Sequence, residues 1–426
     1  MAASLVMGQV PVPPRSDREA EAEPELADKI GKTDYIFVDE VYQTCKPRVL
    51  RQWLLDIGFS KDKSELAEAI DAWNRIYKYH GRPSGIFAAD EFLAGLDPVR
   101  GTELCWLCGY LFQATGDSSV AERVERQAYN ALPATITGDM WAHQYVQQQN
   151  QIAAQTMLPN PFPSDGPEAN IFGLEPDYPC CTVNHMQGFP KFVAAAFLKT
   201  LDEGGLVQVY NGPFQVETTL RGGNHVSIIV ETTYPFGDTL DINITAEHSF
   251  DYFINLPHWA VEEKRVVVKV NLRQGLPVDI ESGLLRLRAN AGNSKFRISY
   301  NPPIIVEPRP RDTVALHRGA LHYAYDIPRK NEARAVDLNM TPSGPWQYAI
   351  DPSTARYEQI SNDVHSPVFD HNGSSNHIAV LACIIKWEIG GQMFANPPPE
   401  NPECVGPMET IRLIPYGRLV DQIEDQ

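Results

Sequence analysis

HVSIIVETTY (His225–Tyr234) and TLDINITAE (Thr239–Glu247) decide how the second half of this chain folds. In both, apolar and polar residues alternate, as on a strand with one buried and one wet face, and the Pro and Gly between them mark a turn. KRVVVKVNL (Lys264–Leu272) and KFRISY (Lys295–Tyr300) repeat the pattern. The spacing predicts an antiparallel β-sandwich from about Gly205 onward. NPPPENPE (Asn396–Glu403) reads as a proline-stiffened surface loop, and no repeat of solenoid length is evident.

Ahead of that point, from about Val49, the period changes. Val120, Val124, Ala128 and Ala131 are spaced by threes and fours and trace one helix face. Thr102 is placed to cap ELCWLCGYLFQAT (Glu103–Thr115), Gly116 and Asp117 to close it, Ser118 or Ser119 to open the next helix, and Pro133 to stop that one. A third helix, GFPKFVAAAFLKTL (Gly188–Leu201), is predicted to begin near Pro190. The first 30 residues, rich in Pro, Glu and Ala, read as a disordered leader. The fold class is α+β and multidomain: leader over 1–30, helical region over 31–203, β-sandwich region over 204–426.

The 426 residues carry 36 Lys and Arg against 54 Asp and Glu, a formal charge of −18 that disfavours nucleic acid and anionic membranes as partners. No apolar run reaches the ~20 residues that a membrane-spanning helix needs. The longest, Ile378–Ile385, suits a buried strand. The opening residues have no positive segment before their short apolar stretch, unlike a signal peptide, so a cytoplasmic location is expected. Seven cysteines are too sparse for a disulfide scaffold, and reduced thiols are expected. Sequons at Asn243, Asn339 and Asn372 argue only weakly for secretion.

Two of the cysteines, Cys180 and Cys181 in DYPCCTVN, are adjacent. Neighbouring cysteines rarely bond to each other, because the eight-membered ring strains the peptide between them. The pair therefore serves partners elsewhere: two disulfides, a metal, or a reactive thiolate favoured by the helix start that follows. Upstream, Glu103 and Cys105 stand two apart at a helix start. Thiolates with one carboxylate can hold zinc tetrahedrally, although the spacing is no zinc-finger pattern and buried structural cysteines are the plainer reading. Cys108 falls on the same predicted helix face as Cys105 and reads as core.

GIFAADEFLAGLDPVRGTELC (Gly85–Cys105), ERVERQAYNALPATITGDMWAHQYVQQQNQ (Glu122–Gln151) and ANIFGLEPDYPCCTVNHMQGFPKFV (Ala169–Val193) together resemble glycoside hydrolase family 127, the β-L-arabinofuranosidase-like proteins. The match is dense from Tyr79 to Val193 and extends to DTVALHRGALHYAYDI (Asp312–Ile327) and ETIRLIPYG (Glu409–Gly417). The resemblance implies a six-hairpin-type (α/α) barrel carrying the active site, followed by β-sandwich structure. It also implies that Glu103, Cys105, Cys180 and Cys181 hold one Zn2+, that Cys180 is the nucleophile, and that Glu91 is the acid/base, with Asp90 beside it as the fallback. Zinc would strip the proton from a thiol whose ordinary pKa is about 8.5, and a retaining enzyme places its acid about 5 Å from the nucleophile.

His143, Tyr145 and Gln148 are then expected to bind sugar hydroxyls, with Trp141 as a flat apolar face; without the resemblance His143 reads as a satisfied core histidine. Asn184 and His185 either orient the cysteine loop or touch substrate, and Asn184 can also cap the following helix. Fewer than 80 residues precede the matching segment, too few for the first several barrel helices, so a partial barrel is expected. Apolar surface left open by it favours a homodimer or closure with fewer helices. The expected partner is a small-molecule or oligosaccharide substrate, hydrolysed as a terminal furanoside. A non-hydrolytic biosynthetic enzyme on the same scaffold and a non-catalytic carbohydrate-binding or assembly protein are the competing readings.

Overall fold

The computed structural model describes residues 70–71, 74, 77, 81–86, 112, 116–147, 150–158, 166–175, 185, 187–270, 279–309, 311–334, 337–371, 374–390 and 394–419. Their regular structure is mostly β. The strands of the first half are β1 (Phe197–Lys199), β2 (Gly205–Gln208), β3 (Phe214–Leu220), β4 (Asn224–Thr232), β5 (Thr239–Ala246), β6 (Phe250–Asn255), β7 (Val266–Val270), β8 (Asp279–Glu281), β9 (Leu284–Ala289) and β10 (Gly292–Tyr300). They form two five-stranded sheets, ordered β1-β2-β6-β9-β8 and β3-β4-β5-β10-β7. Every pair is antiparallel except β2 with β6.

The alternation in the sequence explains why two sheets face each other. Ile228 of β4, Leu240, Ile242 and Ile244 of β5, and Ile298 of β10 are at most 1% exposed, while the residues between them point outward. They share one apolar cluster with Leu206, Tyr252, Ile254 and Leu285 of the other sheet. Burying each such aliphatic side chain stabilises the fold by roughly 1.5–3 kcal/mol, so a slip of one residue in register would turn the whole set to water.

A third sheet, ordered β11-β12-β13-β20-β17-β16, is wholly antiparallel. Its strands are β11 (Ile304–Arg309), β12 (Thr313–Arg318), β13 (Leu321–Tyr325), β16 (Tyr348–Gln359), β17 (Asn376–Ile384) and β20 (Glu409–Pro415), with the hairpins β14 (Arg329–Arg334)–β15 (Asp337–Pro342) and β18 (Ile389–Gly390)–β19 (Phe394–Ala395) between them. The apolar run from Ile378 becomes β17, as expected of a buried strand.

Helix α1 (Ser118–Arg126) packs Val120, Ala121 and Val124 into the sandwich core. Its N-cap is Asp117, whose carboxylate accepts the Ser119 amide at 2.8 Å, so Asp117 opens this helix rather than only closing the one before. The helical run ends at Ala134, one residue past Pro133. After α1 the chain widens into a π turn, Gln127–Ala131, and Pro133 sits within a following short turn, Leu132–Ala134, at a position where its missing N–H is not needed. The π turn is anchored by Asn130, which donates to the Ala320 carbonyl at 2.8 Å and accepts the His322 amide at 2.7 Å, and so fixes it to the β12–β13 turn. Against the same turn, Gly417 approaches so closely that an added Cβ would lie 2.9 Å from the Tyr129 carbonyl oxygen and 2.7 Å from Pro133.

Buried Glu125 ties α1 to the sandwich. Its carboxylate accepts the Asn211 amide at 2.6 Å and the Tyr234 hydroxyl at 2.6 Å, while Tyr129 and Tyr300 hydroxyls bond Asn211. Burial, opposed by these hydrogen bonds, pushes its pKa up to about 7.

Three expectations are corrected here. The helix over Gly188–Leu201 ends at Ala194, because Phe197–Lys199 pairs instead with Leu206–Gln208 as an edge strand: tertiary pairing overrides local propensity. Within the expected helical region, the described residues from Ile136 to Leu174 are turns and isolated bridges, held by side-chain amides described below. Cys383 and Cys404 are not reduced thiols but a disulfide, with Cα atoms 5.6 Å apart. The return of the chain past β17, where Ile385 bridges Cys404, brings together residues whose spacing alone could not announce a pair. Much of the predicted partial (α/α) barrel, and the 1–30 leader, lie outside the described residues.

Candidate active site

The segment TITGDMWAHQYV turns back on itself through short-range bonds. The Asp139 carboxylate accepts from the Trp141 amide at 3.0 Å, the Thr137 hydroxyl accepts the Ala142 amide at 3.0 Å, and Thr137 and Ala142 close the turn through N–H to O=C at 2.8 Å. This reversal sets His143 opposite both Ile136 and Gly173, exchanging backbone bonds with Gly173 at 2.9 and 3.1 Å.

The irregular backbone is satisfied by neutral amides. Gln144 donates to the Asn170 carbonyl at 2.6 Å; Gln147 donates to the Ala134 carbonyl and to Gln144 Oε1, both at 2.7 Å; Asn170 donates to Gln151 Oε1 at 3.0 Å. The Tyr416 hydroxyl, from the ETIRLIPYG motif, donates to Gln147 Oε1 at 3.0 Å. Each such bond nets only about 1 kcal/mol, but a buried group stripped of its partner costs about 1–3 kcal/mol, so the set stands or falls together.

Two buried imidazoles meet at this turn. The rings of His143 and His185 stack at 5.7 Å with 26° between their planes. His185 Nε2 lies 2.8 Å from the Thr135 hydroxyl, whose own hydrogen is directed at the Ala131 and Leu132 carbonyls. Nε2 is thus the ring nitrogen that bonds Thr135, and among the described residues the buried Nδ1 has no hydrogen-bond partner. Burial lowers both pKa values, that of His185 to about 4 with help from the neighbouring His143. At neutral pH both rings are uncharged, suited to hydroxyl groups rather than to anions.

Of the residues singled out in the sequence, the structure brings His143 and His185 together, both 4% exposed, and buries Tyr145, whose amide bonds the Ala169 carbonyl at 3.2 Å. Trp141 is 61% exposed at the tip of the turn. Glu91, Glu103, Cys105, Cys180, Cys181 and Gln148 lie outside the described residues, as do Asp90, Cys108 and Asn184. Among the described residues no group of three or more His, Cys, Asp or Glu is placed to hold a metal, and no helix is long and apolar enough to cross a membrane. Sequence reasoning missed Thr135, Gln144 and Asn170. The amide run QYVQQQNQ was the signal for Gln144, since clustered amides in an apolar setting need backbone to bind.

Neither a protein-family model nor a curated protein sequence matches the chain. Solved structures do. A glycoside hydrolase family 127 β-L-arabinofuranosidase from Geobacillus stearothermophilus T6 superposes with a TM-score of 0.61 at 15% identity, over 87% of this chain and 58% of that one. A family 127 β-arabinofuranosidase gives 0.57 at 15% identity over 87% and 57%, and a protein described as a glycoside hydrolase 0.56 at 15% over 89% and 64%. The resemblance read from the sequence is thereby met in the fold, and this chain spans less than two thirds of the length of these structures.

Proposed function

We propose that the chain is a retaining glycoside hydrolase acting on a terminal furanoside of the β-L-arabinofuranose type. The observation that carries this reading is the coincidence of the fold likeness with the motifs that first suggested the family. The neutral His143–His185 pair adds support, because uncharged imidazoles suit the hydroxyl groups of a sugar.

In this reading residues 31–203 supply part of an (α/α) barrel and 204–426 the β-sandwich region, with a second copy covering apolar surface that a partial barrel leaves open. Three sulfur donors and one carboxylate suit zinc, so Glu103, Cys105, Cys180 and Cys181 would hold Zn2+, which supplies a deprotonated thiol at neutral pH. The Cys180 sulfur attacks the anomeric carbon as its bond to the leaving oxygen breaks, and Glu91 gives that oxygen a proton. Glu91 then takes a proton from water, whose oxygen bonds the anomeric carbon as the carbon–sulfur bond breaks. Two displacements at one carbon retain its configuration. His143, Tyr145 and Gln148 bind the sugar hydroxyls. The Cys383–Cys404 disulfide favours an oxidising compartment over the cytoplasmic location expected from the N-terminal residues. The test is Cys180→Ser, assayed on an aryl β-L-arabinofuranoside: the variant keeps its fold and loses turnover, and unchanged turnover refutes the nucleophile.

A further inference from the structure

Gln147 and Gln151 also line a cavity of about 600 Å³ that neither His143 nor His185 reaches. It opens between the residues around Gln151 and the third sheet, and its volume falls within the roughly 300–1,000 Å³ of ligand sites. Two aromatic pairs form its walls: Trp346 with Trp387, ring centres 5.2 Å apart, and Tyr325 with Tyr348, 5.0 Å apart. The proline loop Asn396–Glu403 closes one side. Trp387 Nε1 donates to the Asn396 carbonyl and Arg311 Nε to the Pro398 carbonyl, each at 2.7 Å, and the Cys383–Cys404 disulfide anchors the loop's end.

Among the described residues, three of the four arginines lining the cavity stand in ion pairs. Arg309 pairs with Glu307 at 2.9 Å, Arg311 with Glu400 at 3.3 Å and Arg329 with Asp326 at 2.8 Å. An anionic ligand would have to compete for them, whereas a neutral one loses nothing. His322, 6% exposed, also lines the cavity through its ring, while its Nδ1 is covered by protein. Aromatic faces for apolar C–H surfaces beside the polar amides of Asn150 and Gln151 are what a polyol requires.

We infer that this cavity, apart from His143 and His185, is a binding site for a neutral oligosaccharide that stacks on Trp346, Trp387, Tyr325 and Tyr348. The choice of a sugar rests on the carbohydrate reading proposed above. The experiment is calorimetric titration of the full chain with a neutral arabino-oligosaccharide, with an oligogalacturonate as the charged control. Tryptophan emission is followed in the same wild-type titration, because it reads the cavity walls without any substitution. Saturable binding of the neutral probe, with a shift in emission, weakened about tenfold in folded Trp387→Ala and Tyr348→Ala, is the expected result. No binding of the neutral probe, an unshifted emission, preference for the oligogalacturonate, or unaltered affinity in either folded variant overturns the inference. Retained turnover in Cys180→Ser would refute the catalytic proposal while leaving this binding result to stand on its own.

Discussion

Replacing Glu125 by Gln isolates one proton in the joint between helix α1 and the sandwich. The carboxylate is 2% exposed, with Asn211 and Tyr234 as neutral donors, and burial is the dominant cause of its raised pKa. The folded chain holds the proton up to about pH 7, whereas the unfolded chain releases it near the ordinary 4.5. Between those values the folded state binds more protons, so the stabilising contribution is fully present below pH 4.5 and is lost as pH rises through about 7. At 1.36 kcal/mol per unit the whole loss is about 3 kcal/mol. Gln keeps the shape and an acceptor for Asn211 and has no proton to lose. Urea unfolding of both proteins at pH 4.5 and pH 8 should therefore show the difference in stability moving toward Glu125→Gln by about 3 kcal/mol as pH rises. A difference constant to within about 0.5 kcal/mol, or one moving toward wild type, refutes the argument.

Other substitutions test other joints. Gly417→Ala drives a methyl against the Tyr129 carbonyl and Pro133, and should destabilise by about 1–3 kcal/mol in urea unfolding; no loss would mean that the two turns do not touch. Arg418, fully buried, lies 4.0 Å over the Phe236 ring, and among the described residues its guanidinium has no hydrogen-bond partner; burial lowers its pKa to about 10. Arg418→Met should then be neutral or stabilising by up to about 3 kcal/mol, and a loss above about 2 kcal/mol would show that the cation is needed. His185 carries the opposite pH sign to Glu125: its folded pKa lies below the ordinary 6.5, so its contribution falls away as pH drops from 6.5 toward 4. His185→Gln should flatten that acid limb of a melting-temperature profile, and an unchanged limb counts against a neutral buried ring.

The strands were legible because burial repeats every second residue: Ile228, Ile242 and Ile298 point inward where alternation placed them. Helix α1 and its continuation were legible through Val120, Val124, Ala128 and Ala131, but the widening into a π turn was not, since it depends on Asn130 reaching Ala320, a bond across 190 positions. Phe197–Lys199 misled for a related reason: FVAAAFLK favours helix locally, and only the partner strand decides otherwise. The Cys383–Cys404 bond likewise follows from chain return and leaves no trace in spacing. In the candidate site, His143 and Tyr145 were named from the motif, whereas Thr135 gains its role only because the fold brings His185 to it.

The chemistry rests on the thiol quartet. Elemental analysis of the purified chain tests it most directly, on wild type and on Cys105→Ala and Cys181→Ala with folding checked by thermal melt. About one zinc per chain in wild type, lost in both folded variants, is the result predicted. A metal-free wild type, or zinc that survives both substitutions, would contradict the proposed site.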